Sequence, residues 1–427
     1  MSLKSGELLR SVGVWGLAAM AFNSLVGAGV FSLPGVVAQN VGPWAPVVVL
    51  GVGLAMLPVV VGMAALAGLF DRTGGPIVYV GEAFGPAAGF QAGWLAFLST
   101  TASVAANANL LADYILTAAR PPFDGPLAHA AVVLAALAIV LAVNLAANRR
   151  SADVLQLMSL AKIAPLLLLL VLAAPSLVHT VGSQATQHWS PAQAVLLAAY
   201  AFVGFEGALT QAGEARNPRR DLPLAVLCVF VAVVILYAAL TWGFIAVAYD
   251  PHAIPKAPLA RMGEIMAGRA GLALVVVGAT LSILGNVIST VLFNSRRLVA
   301  LEAQGSLPRW LGWIAPANGI PRHAVLLVVG LAAILALSGG FKALAILSVA
   351  SRLLVYLASM AALPVIRGRR GLPRFAPVDL FVMLAVPVCL AMLSQTQSGA
   401  WLAILAGVAV GFAIMAWSRR TRLRAPA

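Results

Sequence analysis

From Ser11 to Phe70 the chain contains no Asp, Glu, Lys or Arg. A run of this length has too little polar side-chain surface to fold in water, and about 20 apolar residues suffice for one helical crossing of a bilayer. In lipid every backbone N–H and C=O must be satisfied internally, so the spanning structures are helices or closed barrels. Uninterrupted apolar runs of this length indicate helices. The rest of the chain agrees: it is 62% hydrophobic and 9% charged, with a mean hydropathy of +0.98. A soluble domain carries about 25% charged residues. The expected class is an all-α polytopic membrane protein whose main partner is the lipid bilayer. The net charge of +14 raises the possibility of nucleic acid. The apolar segments leave no soluble domain large enough for that, and basic residues in such chains mark cytoplasmic loops. Cys228 and Cys389 both lie in apolar runs and read as small hydrophobes. The first apolar segment lacks a small-x-small cleavage site and reads as a retained span rather than a signal peptide.

Twelve candidate spans follow, at about 12–36, 44–70, 86–118, 127–146, 152–174, 192–213, 223–248, 271–298, 323–339, 342–366, 378–395 and 399–417. Clusters such as "QNVGPWAP", "ARPPFDGP", "ARNPRRDLP" and "SQTQSG" separate them, because Pro, Gly and Asn favour turns. With a cytoplasmic N-terminus, twenty of the 27 Lys and Arg fall on cytoplasmic segments and five outside, while Lys162 and Arg352 fall within spans. This asymmetry predicts that both termini are cytoplasmic.

The first span holds "NSLVGAGVFSLPG", with three glycines and a proline between Gly27 and Gly35. Glycine is a poor helix former, and an interior proline costs a helix about 3 kcal/mol. The sixth span holds "YAFVGFEGALTQAG". Spans 1 and 6 begin successive blocks of five, and an odd block length inverts the second block relative to the first. Paired discontinuous helices at matching positions of inverted repeats are a transporter pattern. A break exposes N–H groups at the start of one half-helix and carbonyls at the end of the other. The first suit a carboxylate and the second an ammonium. Gly and Pro also serve helix packing in membranes, which is the competing reading of each segment taken alone.

"GAGVFSLPG", "RTGGPIVYVGEAFGPAAGFQAGW", "AFVGFEGALTQAGEARNPRRDLPLAV" and "SRRLVALEAQGSLP" occur in this order. Together they resemble the amino acid–polyamine–organocation (APC) transporter superfamily, from Val12 to about Arg370. The most specific element is Gly204-Phe205-Glu206 followed by E-x-x-N-P-x-R-x-x-P. The resemblance implies a LeuT-like fold with a 5+5 inverted repeat, twelve transmembrane helices and broken helices 1 and 6. The first repeat would cover 12–174, the second 192–366, and two peripheral helices 378–417, all in one transporter domain. It also implies an amino acid or related amine as substrate, moved by alternating access. By position, Ser24, Gly27, Ala28 and Gly29 would line the carboxylate side of the pocket, with Tyr200, Val203 and Glu206 facing them from span 6. Ala28 stands where some relatives carry a serine.

Charges within spans are costly and usually face a cavity or a partner. Lys162 resembles the span 5 lysine that replaces sodium in sodium-independent relatives. Its ammonium would bridge a carbonyl near Gly27 and a span 8 hydroxyl such as Ser289, and would serve proton coupling. Snorkelling to the interface is the competing reading. Glu206 has three candidate roles: contact with the substrate's amine, proton carriage, or a bridge across the break. Arg352 reads as the partner of a carboxylate, as a gate on the outer pathway, or as one half of a structural interhelical pair. Asn107, Asn109 and Asp113 in span 3, and Asn286 and Asn294 in span 8, are polar groups in apolar helices, where most bond across helices.

These features predict a secondary active transporter of amino acids, sodium-independent and either proton-coupled or an exchanger, in a bacterial-type inner membrane. A carrier of polyamines or other organic amines on the same fold is the alternative. No paired catalytic groups suggest an enzyme, no His or Cys spacing suggests a metal, and no P-loop or other cofactor motif is present.

Overall fold

The structure, a computed structural model, describes residues 13–70, 74–119, 125–146, 163–178, 189–209, 218–316, 318–372 and 377–424. Among these residues there are helices and turns but no strands. The order is α1 (Val14–Leu25), α2 (Gly29–Val41), α3 (Ala45–Gly68), α4 (Pro76–Phe84), α5 (Pro86–Ala118) and α6 (Pro126–Ala146). Then come α7 (Ile163–Ala173), α8 (Pro191–Phe202), α9 (Glu206–Leu209), α10 (Pro218–Ala248) and α11 (Pro258–Ala303). Last are α12 (Arg322–Ser338), α13 (Phe341–Arg369), α14 (Pro377–Ser394) and α15 (Ser398–Arg424).

Among the described residues, seven helical stretches are long and apolar enough to cross a membrane, and five more apolar helices are shorter. Two of the short ones, α1 and α8, are short because the chain unwinds after them, at Val26–Ala28 and at Val203–Phe205. Both breaks fall where glycine clusters place them in the sequence. Local punctuation explains several other boundaries. Gly75 and Gly85 hold φ of +55° and +95°, and each is followed by a proline at the first helical position, which starts α4 and α5.

Two elements were not anticipated. Helix α4 lies in the stretch read as a connection between spans 2 and 3. Helix α11 begins at Pro258, well before residue 271, and is interrupted at Ala267 and Gly268, where φ is −138° and +60°. Helix α4 and the part of α11 before its interruption are short helical segments outside the long apolar runs, where hydropathy is a weak guide.

Layering follows burial. The most apolar stretch of α5 is 83% buried and that of α13 is 72% buried, against 22% for α6 and 17% for α15. Helices α5 and α13 form the centre, while Leu127, Ile139, Leu402 and Leu405 expose apolar faces on α6 and α15. Such faces suit lipid rather than water. Helix α5 packs on α11 and α13, α3 on α10, α2 on α8, and α1 on the short α9. The two breaks therefore lie side by side in the interior.

Candidate functional site

The glycines at the breaks allow the two unwound segments to touch. A Cβ on Gly29 would lie 2.7 Å from the Cα of Ala201, and one on Gly204 would lie 2.8 Å from the carbonyl oxygen of Ser24. Gly204 also holds φ at +111°, a conformation that side chains disfavour. A Cβ on Gly27 would meet the Asn286 amide at 2.8 Å.

Unwinding leaves backbone groups to be satisfied. The N–H of Val26 still donates to Phe22 O at 2.8 Å. Among the described residues, no acceptor meets the N–H groups of Ala28, Gly29 and Val30, as expected for the start of a helix. On the other side of the break, side chains reach the carbonyls. Asn286 Nδ2 donates to Asn23 O at 3.2 Å, and Tyr237 OH donates to Leu25 O at 3.2 Å.

A polar chain then crosses four helices. Tyr200 OH donates to Asn107 Oδ1 at 2.5 Å, and lies 3.1 Å from Ser103 Oγ. Asn107 Nδ2 donates to Asn286 Oδ1 at 3.3 Å, and Asn286 closes on Asn23. The Tyr200 ring stands edge-on to Phe341, with centroids 5.6 Å apart. Asn109 and Asn294 play a different part. Asn109 donates to Ala336 O and Gly339 O at the end of α12, and Asn294 Nδ2 donates to Phe97 O and Thr101 Oγ1 on α5. Asp113 lies 3.5 Å from His129 Nε2.

Glu206 opens α9 just past the second break. Its Oε2 accepts from the Gly204 N–H at 3.0 Å and from Tyr356 OH at 2.7 Å, and its Oε1 pairs with Arg352 Nη1 at 3.1 Å. Arg352 in turn donates from Nε to Ser99 Oγ at 3.0 Å. The partner of Arg352, which the sequence does not name, is therefore Glu206. The pair is shielded, with side chains 7% and 11% exposed. A shielded charge pair survives when further hydrogen bonds satisfy both partners, as they do here.

These groups surround one cavity of about 80 Å³, room for several waters or a small solute. Ser24, Gly27, Ala28 and Gly29 line it from the first break, and Tyr200, Val203 and Glu206 from the second. Ser289 also lines it, with its hydroxyl donating to Gly285 O at 2.9 Å. Lys162 lies outside the described residues. Arg297 is a lining residue that the sequence reading counted as loop charge. The signal was present in the spacing: Asn286, Thr290, Phe293 and Arg297 recur every three or four residues, with Ser289 beside them, and share one face of α11.

The arrangement combines backbone donors that meet no acceptor among the described residues, side-chain hydroxyls and amides, and an inward charge pair. The described residues hold no group of His, Cys, Asp and Glu arranged for a metal. The chemistry of this lining suits a small polar solute.

The family profile of amino acid permeases matches residues 12–418. An uncharacterised transporter of Mycobacterium tuberculosis is 28% identical over 354 residues, covering 79% of this chain and 76% of the relative. An arginine/agmatine antiporter of Chlamydia caviae is 26% identical over 337 residues, covering 72% of this chain and 67% of the relative. A branched-chain amino acid permease of Lactococcus lactis is 24% identical over 355 residues, covering 73% of each. The chain is a membrane transporter rather than an enzyme, and it belongs to the amino acid permease family.

Proposed function

We propose that the protein moves amino acids across the membrane by alternating access, with the substrate held between the two helix breaks. The observation that carries this reading is the start of α2, where the N–H groups of Ala28, Gly29 and Val30 meet no acceptor among the described residues and Ala28 and Gly29 line the cavity. A helix N-terminus with free N–H groups is a ready carboxylate site. The carbonyl end of α1 and the Ser24 hydroxyl lie on the same cavity and suit the ammonium. The names of the relatives, which cover arginine/agmatine exchange and branched-chain amino acids, support an amino acid as the class of solute.

The packing supports the twelve-span, 5+5 inverted organisation over 12–174 and 192–366, with 378–417 as two peripheral helices. Taking α1 and α2 as span 1, and α8 and α9 as span 6, members of the first block pack on their counterparts five spans later. This holds for spans 2 to 4 and not for α7 and α13: α3 meets α10, α5 meets α11 and α6 meets α12. At the breaks, the first half of one span meets the second half of the other, α1 on α9 and α2 on α8, as antiparallel repeats require. The excess of Arg and Lys on alternate connections supports cytoplasmic termini, and the bacterial relatives support a bacterial-type inner membrane.

Lys162 and Ser289 are assigned to the position of a coupling cation, which makes transport sodium-independent and either proton-coupled or an exchange. A polyamine substrate is the weaker alternative, because Glu206 is already paired with Arg352. Uptake of labelled amino acids into proteoliposomes, with sodium replaced by choline and with an imposed proton gradient, tests the reading. Amino acid uptake that survives choline and responds to the gradient or to internal amino acid is expected. Failure of every amino acid to move or bind would overturn it.

A further inference from the structure

Arg297 brings to the cavity a positive charge that no carboxylate among the described residues meets within ion-pair distance, Glu206 acting on it only through space. The other lining charges cancel, since Arg352 and Glu206 meet at 3.1 Å. Arg297 is half-buried, whereas its neighbour Arg296 is exposed. Its hydrogen bonds to the described residues all leave from Nη1, to Ala96 O and Thr100 Oγ1 at 3.0 Å and to Asn294 Oδ1 at 2.7 Å. These contacts fix the guanidinium plane against α5 and leave Nε and Nη2 without a partner among the described residues. A charged side chain within a membrane protein is expected to face a partner or a functional cavity. Here the missing partner is an anion, and the free edge of the guanidinium is the shape that takes a carboxylate in two hydrogen bonds.

We propose that the preferred substrate is an amino acid with an acidic side chain, and that Arg297 receives its second carboxylate. This rests on amino acid transport as the function, and it specifies the part of the solute that the helix breaks do not read. The spacing fits. Arg297 is anchored at Thr100, seven residues before Asn107 on α5, which is roughly 10 Å of helix. Asn107 bonds Asn286, which holds the end of α1 at the first break. A short amino dicarboxylate therefore lies with its backbone ends at the break and its side chain toward Arg297. The same charge repels a cationic side chain, so selectivity departs from that of relatives named for arginine/agmatine exchange or lysine transport.

The test is competition for uptake into proteoliposomes of the full chain, using glutamate, aspartate, their amides glutamine and asparagine, alanine, arginine and agmatine. Charge-assisted hydrogen bonds of this kind favour each acid over its amide by about ten- to a hundredfold in apparent affinity. Arg297→Gln is expected to erase that ratio, and Arg297→Lys to restore part of it. Amino acid uptake with the amides or arginine preferred over the acids would overturn the proposal and leave amino acid transport standing. An acid-over-amide ratio that persists in Arg297→Gln would also overturn it. Should Arg297→Gln fail to fold, the wild-type ratio and Arg297→Lys still decide. Absence of uptake for every amino acid would remove the underlying function as well.

Discussion

Glu206 and Arg352 meet at 3.1 Å across the second helix break, and both side chains are almost fully shielded. The carboxylate also accepts from the Gly204 N–H and from Tyr356 OH, so one residue ties the unwound segment to α13 at two points. Of the three roles that the sequence allows for Glu206, the geometry favours the bridge. It uses both carboxylate oxygens within the protein, which makes a direct contact with a substrate amine less suited.

Glu206→Gln is expected to lose thermal stability and transport together, because Arg352 is left as an unpaired shielded charge. Breaking such a pair from one side costs about 3–5 kcal/mol. The double variant Glu206→Gln with Arg352→Gln should recover part of the melting temperature in detergent. A single variant with normal stability and transport but no pH dependence would instead assign Glu206 to proton carriage.

Gly29→Ala should destabilise the protein by about 1–3 kcal/mol, the usual cost of overpacking. The new methyl would meet the Ala201 backbone, which cannot turn aside as a side chain can. Gly51→Ala in α3 is the control, since its methyl would meet nothing within 4 Å. It should be neutral or slightly stabilising in the same melting assay, because alanine is the better helix former. Equal effects for the two would argue that the breaks are not held in contact.

Asn107→Ala should weaken substrate binding as well as stability. It removes the acceptor of Tyr200 OH and the donor to Asn286 in one change, and an unsatisfied shielded polar group costs about 1–3 kcal/mol. Asn109→Ala removes contacts to the end of α12 that do not reach the cavity, so it should lower stability with less effect on binding. Equilibrium binding of labelled substrate to purified variants separates the two.

The breaks were legible because helix breakers act locally: "LVGAGVF" and "FVGFEG" mark both unwound segments within a residue or two. The site residues named from them lie on one cavity because the two segments pack on each other. The meeting of Arg352 with Glu206 was not legible, since it depends on α13 packing on α8 beside the second break, a tertiary fact that no local pattern encodes. Arg297 was misassigned for a different reason. Counting positive charges treats adjacent arginines alike, yet on a helix Arg296 turns out and Arg297 turns in. Only the three-to-four residue spacing from Asn286 distinguishes them.

The central claim is that the unwound start of α2 and the carbonyl end of α1 read the backbone of an amino acid. Competition by altered versions of the best-transported amino acid tests it most directly. Esterifying the α-carboxylate, removing it by decarboxylation, or acetylating the α-amine should each abolish competition, while shortening the side chain should give a graded loss. A decarboxylated amine that competes as well as its parent amino acid would contradict the account and favour an organic amine carrier.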